Sequence, residues 1–156
     1  HPIKTLFYLL VFLFKGKSYL KDKISKNFAI PFENLNFNKA ALDYIREVKN
    51  RHRVVYLISG SHQVLVNQMD KHLNIFFESF GTKDNFNMVG SNKVLFIKEN
   101  LNIHDFDYFG NSHKDLPIWK YTKRAIHTNA SPELIKTIKS LDLEHKEIPA
   151  NFSLTK

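Results

Sequence analysis

Two short polar runs carry the side chains best suited to chemistry. The first is Ser59-Gly60-Ser61, which follows the apolar run Val54 to Ile58. A serine hydroxyl beside backbone N–H groups at a helix start can hold a phosphate oxygen, because those N–H groups have no partner inside the helix. The same residues serve equally well as a tight turn and a helix cap. The second run is Gly110-Asn111-Ser112-His113-Lys114-Asp115, after Phe106 to Phe109. Asn111 and Asp115 are four residues apart, so a helix beginning near Ser112 turns both oxygens toward one crevice. Hard oxygen donors of that kind suit Mg²⁺. Asp115 beside a helix N-terminus is also explained by capping alone.

Other chemistries find little support. The chain has no cysteine, which removes disulfides, Cys-ligated metals and thiol nucleophiles. That composition suits a reducing, cytoplasmic compartment. His62, His72, His104, His113 and His127 are scattered and make no metal cluster by spacing. His113 alone lies within a polar loop of interest. No Walker loop, dinucleotide fingerprint or Ser-centred hydrolase elbow is present. The net charge of +8 favours solubility and attracts phosphate-bearing ligands or anionic lipid. No dense Lys/Arg stripe with interleaved aromatics occurs, so nucleic acid is not an expected partner.

The elements that must position these residues follow from periodicity. Residues 3–14 and 19–28 read as helices, and Pro31 with the Asn-rich stretch after it as loop. Asn38 is placed to cap a helix over 39–49, with Ala41, Leu42, Ile45 and Val48 on one face. Val54 to Ile58 reads as a strand buried on both faces. A helix over 62–72 follows, with Val64, Leu65 and Met69 inward. Phe76 and Phe77 read as a short strand, Gly81 to Asn87 as turns and Lys93 to Glu99 as helix. Asp107 to Phe109 reads as strand and Leu116 to Lys123 as helix, with Pro117 tolerated in its first turn. Trp119 is expected in the core. Ala125 to Thr128 is a strand, and Pro132 to Leu141 a helix with Leu134, Ile135 and Ile138 inward. The tail after Leu143 is polar with no evident fold.

From residue 38 onward helix and strand alternate, which specifies a parallel α/β sheet covered by helices. Ligands bind beyond the carboxyl ends of strands in such sheets, where both polar runs fall. The organisation is therefore a helical, cap-like segment over 1–35, an α/β core over 36–142 and a tail over 143–156. Leu6 to Phe14 is an apolar run too short to span a bilayer. No small-residue cleavage site follows it. It is expected as a buried or half-buried helix, or as an apolar surface touching a membrane or partner. The chain opens His1-Pro2 without an initiator Met, which points to a processed or partial protein.

The order of these pieces resembles the haloacid dehalogenase (HAD) superfamily of phosphatases. It is similar to the phosphoserine-phosphatase-like domains that occur alone or fused to UbiA-type prenyltransferases. The resemblance runs over about residues 1–135. It rests on His1-Pro2-Ile3-Lys4, Gly16-Lys17 and Lys21, on Val54 to Ser61, and on Gly90-Ser91-Asn92-Lys93. It is strongest over Phe106-Asp107-Tyr108-Phe109-Gly110-Asn111-Ser112, Asp115 to Trp119, and Ala125 to Asn129.

The resemblance implies a Rossmann-like three-layer fold, here lacking its first strand, with a small helical cap. It assigns Ser59 to the hydroxyl that binds the transferred phosphoryl group, with Gly60 contributing backbone beside it. Asn111 and Asp115 take the two acidic positions of the fourth motif, which hold Mg²⁺. Lys93, Ser112 and His113 are supporting candidates. It implies a small phosphorylated substrate and an aspartyl-phosphate, with the nucleophilic Asp on a strand end upstream of His1. The lysine that neutralises the phosphoryl charge should precede Gly90, where this chain has Val89. Lys93 fits a different, helix-borne position, and Lys83 or Lys98 are substitutes in space. Val89 keeps a second reading open: a catalytically degenerate binding or structural module, associated with a membrane or a prenyltransferase-type partner through Leu6 to Phe14.

Overall fold

The computed structural model describes residues 37–153. The expected helices at 3–14 and 19–28, the cap-like segment they form and the run Leu6 to Phe14 lie outside the described residues. What is described forms two compact units, one of residues 37–87 with 151–153 and one of residues 88–150.

In the first unit, β1 (Phe37–Asn38) leads directly into α1 (Lys39–Asn50). Asn38 caps that helix as expected: its side-chain oxygen accepts from the Ala41 N–H at 3.2 Å and from Asn151 N–H at 3.3 Å. The second of these bonds ties in the returning segment, where β7 (Phe152–Ser153) pairs antiparallel with β1. β2 (Tyr56–His62), α2 (Gln63–Leu73) and β3 (Glu78–Thr82) make a parallel strand–helix–strand unit. The His62 ring Nδ1 accepts from the Val64 N–H and caps α2, and Asn74 ends it in the left-handed region. Gly81 is required by close approach, since a Cβ there would lie 2.7 Å from the Ser61 carbonyl and 2.9 Å from the Gln63 Cα.

The second unit begins with α3 (Ser91–Leu95), continued by a π-helical turn, Phe96–Asn100. β4 (Asp107–Gly110), α4 (Leu116–Trp119), β5 (Arg124–Thr128), α5 (Pro132–Ser140) and β6 (Glu144–Ile148) follow. The three strands are parallel in the order β4-β5-β6, so each crossover is a helix stepping in one direction. Trp119, Ala125, Leu134 and Ile138 form the buried core, with Tyr108, Leu116 and Leu141 packed against it. The Trp119 indole N–H donates to the Tyr108 carbonyl at 3.0 Å, which pairs the one polar atom of a fully buried ring.

The parallel α/β class is therefore as expected, and six expectations need correction. β2 runs on through Ser59-Gly60-Ser61 with an irregularity between Ile58 and His62, and it is half-buried rather than covered on both faces. Val54 is exposed, because it precedes the pairing. On α2, Leu65 is buried as expected, but Val64 is exposed and Val66 is buried in its place. Phe76 and Phe77 precede β3, and Phe77 is exposed. α4 stops at Trp119 instead of reaching Lys123, as the chain turns early to start β5. Residues 144–148, expected as tail, form β6. Only Ile148 of that strand is buried, which is how an edge strand comes to read as polar. Among the described residues no helix is long and apolar enough to cross a membrane.

Candidate functional site

The loop after β4 is built around Asp115. Its Oδ2 accepts from the Asn111 N–H at 3.0 Å, the Ser112 N–H at 3.0 Å and the Ser112 hydroxyl at 3.2 Å. Ser112 and Asp115 thereby form a capping box over the short 3₁₀ turn His113–Asp115. Gly110 makes room for this carboxylate, since a Cβ there would stand 2.6 Å from its Cγ and Oδ2. That is a stronger reason for glycine than the sharp turn expected from the sequence.

Asp115 Oδ1 faces inward and accepts from the Tyr108 hydroxyl at 3.1 Å. The same hydroxyl accepts from the Lys93 ammonium at 2.8 Å. Lys93, Tyr108 and Asp115 thus stand in one donor-to-acceptor line: ammonium to phenol to carboxylate. Desolvation pushes the Tyr108 phenol well above its ordinary range, and the neighbouring carboxylate adds to this, so it stays a neutral O–H donor. Burial lowers the Lys93 ammonium from its ordinary value, and the Asp115 charge opposes that shift. Lys93 Nζ also lies 5.5 Å from the Tyr108 ring centroid. Among the described residues its one hydrogen-bond partner is Tyr108, which leaves two N–H donors unused.

Of the expected site residues, Lys93, Asn111, Ser112 and Asp115 are brought together in the second unit. His113 is exposed beside them. Lys98 turns away, with its ammonium 3.7 Å from the Tyr121 ring centroid. Val89 begins the turn into α3, where its carbonyl accepts from the Asn92 N–H. Gly90 follows with a φ of 56° as the N-cap of α3, three residues before Lys93. Ser59 and Gly60 belong to the first unit. Ser59 Oγ accepts from the Ser61 N–H at 3.2 Å, and the Gly60 carbonyl accepts from the Thr82 hydroxyl at 2.8 Å. The run belongs to β2 rather than to the expected turn, and His62 is the helix cap. The Ser59 hydroxyl proton is not used by these bonds.

Two residues escaped the sequence reading. Tyr108 looks like core in an apolar strand, and only its pairing with Lys93 fifteen positions away reveals a role. His127 on β5 is fully buried, and neither ring nitrogen has a hydrogen-bond partner. It pairs in register with Gly110 on β4 and Glu147 on β6, and its ring lies 6.0 Å from that of His145. Burial lowers its pKa from the ordinary value near 6.5.

The donor set around Asp115 is a poor match for the expected Mg²⁺. Asp115 spends four hydrogen bonds on its own loop and on Tyr108, and a cation at Oδ1 would meet the Lys93 ammonium. Asn111 offers a neutral amide whose side chain makes no hydrogen bond among the described residues. No group of three or more His, Asp or Glu side chains among them is arranged to hold a metal ion. The described donors by themselves do not fit the ion.

With this geometry in view, the class is that of a parallel α/β fold, and its likeness to solved structures lies in that fold. The solved structure of a substrate-bound phosphoserine phosphatase is similar, with a TM-score of 0.50 and 22% identity, covering 70% of this chain and 58% of that one. A protein of unknown function from Bordetella pertussis Tohama I is similar at a TM-score of 0.59 and 14% identity, covering 69% and 56%. In sequence, the uncharacterized protein y4nM of Sinorhizobium fredii (strain NBRC 101917 / NGR234) is 28% identical over 113 residues. That match takes in 72% of this chain, which spans about a fifth of the relative's length (22%). No protein-family model matches.

Proposed function

We propose that this chain is the α/β part of a HAD-type phosphatase that hydrolyses a small phosphomonoester. The observation that carries the reading is the Lys93 ammonium, held inward beside Tyr108 and Asp115 with two N–H donors unused. A fixed cation with spare donors stabilises the charge of a phosphoryl group, and phosphoryl transfer depends mainly on such positioning and charge neutralisation. Lys93 would then do what the missing lysine at Val89 does in the family. The fold supports the same reading through its likeness to a phosphoserine phosphatase.

The remaining parts come from the family resemblance. Ser59 and Gly60 would bind phosphoryl oxygens, and the nucleophilic Asp, which forms the aspartyl-phosphate, precedes His1. The resemblance would place Mg²⁺ at Asn111 and Asp115, but the described donors do not fit the ion, so no step of the proposal runs through it. A cytoplasmic location and a membrane or prenyltransferase-type partner meeting Leu6 to Phe14 are part of the same expectation. Because the chain spans only part of its relative, these are properties proposed for the whole protein.

The direct test of the anion-binding claim is an inorganic phosphate titration of the chain followed by amide NMR. Saturable shifts should cluster at Gly90 to Lys93 and Asn111 to Asp115, and Lys93→Met should remove them. Shifts spread over the exposed lysines, unchanged in Lys93→Met, would refute it.

A further inference from the structure

Resting on that reading, we infer that Tyr108 is the positioning residue for the oxyanion that Lys93 binds: its hydroxyl is a spacer that keeps the ammonium from closing onto Asp115. The Lys93 Nζ to Tyr108 Oη distance is 2.8 Å and the Tyr108 Oη to Asp115 Oδ1 distance is 3.1 Å, while no ion pair joins Lys93 to Asp115 directly. The hydroxyl takes one N–H of the ammonium and gives its own proton to the carboxylate. Both charges are thereby solvated by one neutral group, and neither is consumed by the other.

A direct pair would behave differently. In a half-buried setting, opposite charges in contact attract strongly, and an incoming anion must first displace the carboxylate. With the phenol between them, the remaining N–H donors of Lys93 face no internal competitor. The spacer is packed on its backbone and on its ring. Trp119 Nε1 holds the Tyr108 carbonyl at 3.0 Å, and its ring packs edge-on against the Tyr108 ring at 6.4 Å. Asp115 is anchored independently by Asn111 and Ser112. Only Lys93, on its flexible stem, is free to move when the hydroxyl is removed.

The test compares phosphate affinity, read from the same amide shifts, in wild type, Lys93→Met, Tyr108→Phe and the double variant Tyr108→Phe/Asp115→Asn. Removing the hydroxyl should weaken binding about tenfold, the size of one lost charge-assisted contact. Adding Asp115→Asn should restore affinity to within about threefold of wild type, because the competitor is then uncharged. A crystal structure of Tyr108→Phe gives the second readout: Lys93 Nζ should contact Asp115. Wild-type affinity in Tyr108→Phe with binding lost in Lys93→Met would overturn the spacer and leave the phosphate reading intact. A Tyr108→Phe defect that Asp115→Asn fails to restore, with Lys93 still apart from Asp115 in the crystal, would overturn it too. Absence of any saturable phosphate response in wild type would overturn both.

Discussion

Asp115 shows how one side chain can be explained twice. As a cap it satisfies the Asn111 and Ser112 N–H groups, and as an acceptor it orients the Tyr108 hydroxyl. The sequence offered capping and metal binding as alternatives; the geometry supports the first and gives the carboxylate a second, electrostatic task. His127 presents the opposite case, a buried polar ring with no partner. Such a group costs about 1–3 kcal/mol when left unpaired. Its lowered pKa means that the unfolded chain binds more protons than the folded one as pH falls below about 6.5. Stability from this residue is therefore present above that value and lost as pH drops toward the folded pKa. Glu147 opposes the shift, while His145 and Lys139 reinforce it. His127→Val should flatten the dependence of the urea midpoint on pH below about 6.5. An unchanged slope would show that His127 does not titrate on unfolding.

At the level of elements, the site depends on where two short turns begin. Gly90 has φ 56° and ψ −128°, a conformation that side chains with a Cβ rarely adopt. Gly90→Ala should cost about 1–3 kcal/mol of stability by urea unfolding and should weaken phosphate binding, because it misdirects Lys93. A stable variant with wild-type phosphate affinity would show that α3 is not set by this turn. Much of the element pattern was legible in the sequence. Asn38 as cap, the α5 face of Leu134 and Ile138, and the strands ending at Gly110 and Thr128 follow from local spacing. What was not legible depends on partners far along the chain. β6 reads as tail because Glu144, His145, Lys146 and Glu147 are all exposed, and only pairing with β5 makes it a strand. Tyr108 reads as core until Lys93 is beside it. The bias against α4 continuing past Trp119 has no local breaker to announce it.

For the whole molecule, the fold class and the chemistry rest on different supports. Alternation of helices and parallel strands gives the class, and likeness to a phosphoserine phosphatase agrees with it. The proposed chemistry would rest on the inward-facing Lys93 ammonium of the second unit. Val89 keeps the degenerate module open as the alternative, and Lys93 is the cation that the proposal puts in place of the missing lysine. The most direct measurement is turnover of a generic phosphomonoester by the product of the whole reading frame that encodes this chain, with and without Mg²⁺. The account predicts hydrolysis that falls by about a hundredfold or more in Lys93→Met, the scale of losing one charge-stabilising donor. A folded whole product with no turnover, or with turnover indifferent to Lys93→Met, would contradict it.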